Sequence, residues 1–89
     1  MIVGKVVGSV VATRKNENLL GSKFMIIEPL DDMGSRGGRL VAIDNVGAGI
    51  GELVLVAFGN AARIGCGLEQ SPVDAAIVGI VDHSTGLNG

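Results

Sequence analysis

The stretch from Leu40 to Gly59, LVAIDNVGAGIGELVLVAFG, restricts the possible folds more than any other part of the chain. Leu40–Ile43 and Leu53–Phe58 are short apolar runs rich in Val, Leu and Ile. Runs of that length and composition form strands with at least one buried face. Between them Gly47, Gly49 and Gly51 alternate with Ala48 and Ile50. The backbone there is free to take positive φ or to admit another backbone at close range. Such a strand–loop–strand either cradles a ligand or packs against a neighbour, a second copy of the chain included.

Size and composition bear on that choice. A chain of 89 residues is expected to form one domain over residues 1–89, and a domain this small buries only about two-thirds of its unfolded surface. The staples that small folds use are missing. Cys66 is the single cysteine and His83 the single histidine, so neither an internal disulfide nor a structural zinc site is expected. Yet 47% of the residues are hydrophobic and the mean hydropathy is +0.51, with Phe24 and Phe58 the only aromatics. Burial against another copy is the direct way to cover that much apolar surface, and self-association is expected.

The formal net charge of −2 and the pI near 5.1 argue against a nucleic-acid partner, which requires a basic footprint. No apolar run approaches the roughly eighteen residues needed to cross a bilayer, so no membrane partner is expected. Val6–Ala12, with Lys5 before it, has the look of a weak signal-peptide core, but Gly8 and Ser9 interrupt it and it reads as a strand. A free cysteine without an export signal predicts a reducing cytoplasm.

In chain order, Ile2–Thr13 is a long apolar run with Gly4 and Gly8 inside it. Frequent Val and interior glycine favour strand over helix, and glycines in a long strand mark the bends by which a sheet curls into a barrel. Arg14–Gly21 is a polar loop. Lys23–Leu30 is a second strand that Pro29 brings to its end. Asp31–Arg39 is charged, glycine-rich and loop-like. After the central pair of strands, Gly59–Gly67 suits one short helical turn with Asn60 as N-cap. Val73–Val81 forms the last strand and residues 83–89 a polar, frayed tail. The expected fold is therefore all-β with one short helix, a small five-stranded closed barrel of the oligonucleotide/oligosaccharide-binding (OB) kind.

Candidate chemistry is thin. The Gly47–Gly51 loop fits neither phosphate-binding template, because Gly51 is followed by Glu52 and a strand where those templates need Lys-Ser/Thr or a helix. Asp82, His83 and Ser84 are adjacent letters, and neighbours in an extended chain point to opposite sides, so they are not a triad. Asp31-Asp32 reads as a solvated turn. Cys66 sits between glycines without a basic neighbour and reads as inert. Asp44 and Asp74 each adjoin an apolar strand. Each is either a partly buried carboxylate in need of a partner, for which Arg63 is the candidate, or a carboxylate at a strand rim. No catalytic, cofactor-binding or metal-binding constellation is expected.

The order of particular residues adds a resemblance. Met1-Ile2-Val3-Gly4-Lys5-Val6-Val7-Gly8 and Val11-Ala12-Thr13-Arg14-Lys15 are followed by Leu40-Val41-Ala42-Ile43-Asp44 and Val46-Gly47-Ala48-Gly49-Ile50-Gly51-Glu52. Then come Val54-Leu55-Val56, Gly59-Asn60-Ala61-Ala62-Arg63 and Pro72–Asp82. Together they resemble the EutN/CcmL family, the pentameric vertex proteins of bacterial microcompartments, over nearly the whole chain. Where the family carries a small hydroxyl pair after Gly59, this chain has Asn60 and Ala61. Asp31–Arg39 matches no family pattern.

The resemblance implies an OB-like barrel assembled as a homopentamer in a microcompartment shell of the bacterial cytoplasm. Its role would be structural and not enzymatic, with hexameric shell proteins as further partners and no cofactor. Asp44, Gly47, Ala48, Gly49, Ile50, Gly51, Asn60, Ala61, Arg63 and Asp74 are the candidates for a subunit interface or axial pore. A binding module of the OB kind, for a small ligand or single-stranded nucleic acid, is the alternative, although it calls for stacking aromatics and basic residues.

Overall fold

In the computed structural model, residues 1–11, 23–30, 38–59, 61–62 and 74–82 are described. They contain five strands: β1 (Ile2–Val10), β2 (Lys23–Pro29), β3 (Leu40–Asp44), β4 (Leu53–Phe58) and β5 (Ala75–Ile80). The strands close into a barrel in the order β1-β2-β3-β5-β4, with β4 returning to β1. All neighbours are antiparallel except β3 and β5, which pair in parallel through Ile43↔Ala76 and Asp44↔Ile77. The all-β class and five-stranded closure match the expectation from sequence.

Closure depends on β1, which pairs with β4 over Ile2–Lys5 and with β2 over Gly4–Val10. Gly4 lies in both ladders, opposite Pro29 and Val54. A Cβ on Gly4 would lie 2.5 Å from Ile27 Cγ2 and 3.0 Å from the Glu28 carbonyl oxygen, so only glycine fits where the sheet curls this tightly. The register then shifts between Val6 and Gly8, leaving Val7 as a bulge as β1 goes on with β2 alone.

Alternation along the strands sends one set of side chains inward. Val6, Met25, Ile27, Ala42, Val54, Val56, Ala75 and Ile77 form the main core, with Ile2, Leu40 and Ile80 packed against it. Ala48 from the β3–β4 connection joins the same cluster and plugs the interior. Burying each of the larger aliphatic side chains, such as Ile27 and Ile77, contributes about 1.5–3 kcal/mol. A smaller cluster lies on the other face of the sheet. Ile43, Ala57 and Ala76, cross-strand neighbours on β3, β4 and β5, are covered by Ala62, with Val78 alongside.

Only β4 keeps both of its expected ends; β2 stops at Pro29, one residue short of Leu30. β3 runs one residue further, to Asp44, because the Asp44 backbone still pairs with Lys23 and Ile77. β5 is Ala75–Ile80, shorter than Val73–Val81. The Asp74 carbonyl accepts from the Gly59 N–H at 2.8 Å, and Val81 donates to the Leu53 carbonyl at 2.8 Å, just past the strand's end. β1 ends at Val10 and Val11 is irregular; Thr13, its expected end, lies outside the described residues. The Arg14–Gly21 loop, residues 31–37, Asn60, residues 63–73 (Arg63 and Cys66 included) and residues 83–89 also lie outside them. Of the expected helical turn, Gly59, Ala61 and Ala62 are described and helical.

Candidate functional site

The described candidate residues lie on the β3–β4 connection, at Ala61 after β4 and at Asp74 just before β5. Asp44 ends β3 with its side chain turned under the loop, only 3% exposed, and it is the one buried charged side chain among the described residues. Its carboxylate collects three backbone donors. The Val46 and Gly47 N–H groups donate to Oδ1 at 2.9 and 3.1 Å, and the Ala48 N–H donates to Oδ2 at 2.9 Å. An ionised carboxylate buried this deeply needs partners of that number and quality, and successive backbone amides supply them.

Glu52 completes the loop from its other end. Its Oε1 accepts from the Gly49 N–H at 2.6 Å, while its own N–H donates to the Gly49 carbonyl at 3.1 Å. The loop is also laced to β1. The Gly51 N–H donates to the Val6 carbonyl at 2.7 Å, and the Val6 N–H donates to the Glu52 carbonyl at 2.9 Å. Gly47 and Gly51 adopt φ of 86° and 94°, which other residues take only at a cost, so the loop's path requires glycine at both positions.

These bonds decide the chemistry of the loop. A run of glycine-rich backbone amides forms an anion-binding cradle when its N–H groups point at a ligand. Here the amides of residues 46 to 49 already donate to the protein's own carboxylates. The loop is a built structural element, and the side chains it shows to solvent include two apolar ones, Val46 at 46% and Ile50 at 68% exposure, beside Asn45 and Glu52.

The two candidate aspartates part company. Asp44 is the buried carboxylate, satisfied by amides of its own loop; Arg63, its expected partner, lies outside the described residues. Asp74 is exposed at the rim of β5, and its described contact is made by its backbone carbonyl with Gly59. Ala61 is exposed, and Ala62 beside it packs on Ile43, the residue preceding Asp44. The turn after β4 and the root of the β3–β4 loop therefore meet through Ile43. Sequence reasoning overlooked the part Glu52 plays in holding Gly49. It also missed that an Asp closing a strand before a glycine-rich loop is placed to accept from the amides that follow it. Among the described residues, no three His, Cys, Asp or Glu side chains are grouped to hold a metal ion.

A closed five-stranded barrel whose glycine-rich loop donates to its own carboxylates defines the chain as a small all-β barrel protein. Residues 1–82 match the family model described as ethanolamine utilisation protein EutN/carboxysome, and the chain belongs to this EutN/CcmL family. It is 47% identical to the bacterial microcompartment shell vertex protein GrpN of Rhodospirillum rubrum, over 99% of this chain and 100% of that one. It is 48% identical to the carboxysome shell vertex protein CcmL of Synechocystis, over 92% and 83% of the two chains. The solved structure of the GrpN pentameric shell protein superposes with a TM-score of 0.84 at 43% identity, covering 98% of this chain and all of that one.

Proposed function

We propose that five copies of this chain form a ring that caps the vertices of a bacterial microcompartment shell in the bacterial cytoplasm. Flat layers of hexagonal tiles do not close into a polyhedron, and a five-sided unit at each corner supplies the curvature. The work is geometric: no bond is made or broken, no cofactor is used, and the chain is not an enzyme. Its partners are itself and, along the ring's outer edge, hexameric shell proteins. Neither nucleic acid nor membrane takes part.

The observation that carries this reading is the likeness to a pentameric shell protein along almost the entire chain. The state of the loop supports it, since the amides that would suit a ligand are engaged internally while Val46 and Ile50 face outward. In the ring, Gly47, Ala48, Gly49, Ile50 and Gly51, with Asp44 beneath them, lie at subunit contacts or at the axial opening. So do Asn60, Ala61, Arg63 and Asp74.

Native mass spectrometry of the full chain tests both levels. A pentamer at micromolar concentration is expected, and a monomer there overturns the reading. Gly49→Arg is a clean probe of the loop. Gly49 does not use positive φ, and a Cβ there meets only the flexible Glu52 carboxylate, at 3.3 Å. The variant is expected to keep its barrel and lose the ring; intact pentamers would remove the loop from the contact.

A further inference from the structure

We draw no further inference here: the strongest candidate, the apolar stripe on the outer wall of β1, β2 and β3 where Val10 and Val41 lie opposite Phe24 and Ile26, carries nothing because nothing in the structure shows what covers it.

Discussion

In the β3–β4 loop, the amides of Val46, Gly47, Ala48 and Gly49 end on Asp44 and Glu52, and Gly51 ends on β1. The outer wall of β1, β2 and β3 has its backbone engaged in ladders as well, yet it leaves Val10 and Val41 exposed beside the half-buried Phe24 and Ile26. The loop is rich in polar groups that are already satisfied, and the wall is rich in apolar surface that is not. The difference separates two meanings of an exposed feature. Polar groups engaged within the chain have little left to offer a ligand, whereas uncovered apolar area gains from any partner that removes it from water.

Substitutions sharpen that contrast. The largest effect is expected beneath the wall, where Ile27→Ala opens a cavity in the main core and costs about 3–4 kcal/mol, read from urea unfolding at one fixed protomer concentration. Asp44→Ala strands three amides at once and is expected to cost about 3 kcal/mol. Asp44→Asn keeps the two bonds at Oδ1 but turns an NH₂ toward the Ala48 N–H, at about 1–2 kcal/mol. If Asp44→Ala proves neutral, the amides are not held as described. Gly47→Ala forces a Cβ into positive φ and is expected to cost about 1 kcal/mol, with no clash to add to it, since nothing lies within 4 Å. Val41→Ser sits at the other extreme. At the lowest concentrations its unfolding midpoint should agree with the unmodified chain within about 0.5 kcal/mol.

Much of the barrel was legible because it is local. Leu53–Phe58 carries an unbroken strand pattern and is β4 to the residue, and Gly4 and Gly8 announced a strand that curls. The order β1-β2-β3-β5-β4 was not legible residue by residue, since the partners of β1 and β5 are set by contacts far apart in sequence. Asp44 shows the same boundary within the site. Its proximity to an apolar strand marked it as a residue to watch, but the partners described for its carboxylate are the amides of Val46, Gly47 and Ala48, which the apolar strand does not announce. The wall was hidden for a different reason. Ile26 and Val41 read as ordinary strand residues, and only the cross-strand register reveals that they stand together on the outside. Membership of the EutN/CcmL family was readable, because it rests on the order of many residues and not on any single contact.

The placement of β5 between β3 and β4 has a consequence in time. β1, β2 and β3 form a meander that is complete at Asp44, so its sheet can assemble from neighbouring segments. The circle cannot close until Ala75–Ile80 is available to bridge β3 and β4. Pairings that span so much sequence form slowly, and an apolar sheet left waiting is a hazard during folding. The strands of the wall thus rest on contacts between chain neighbours, whereas completion of the barrel rests on the non-local pairings of β5 with β3 and β4.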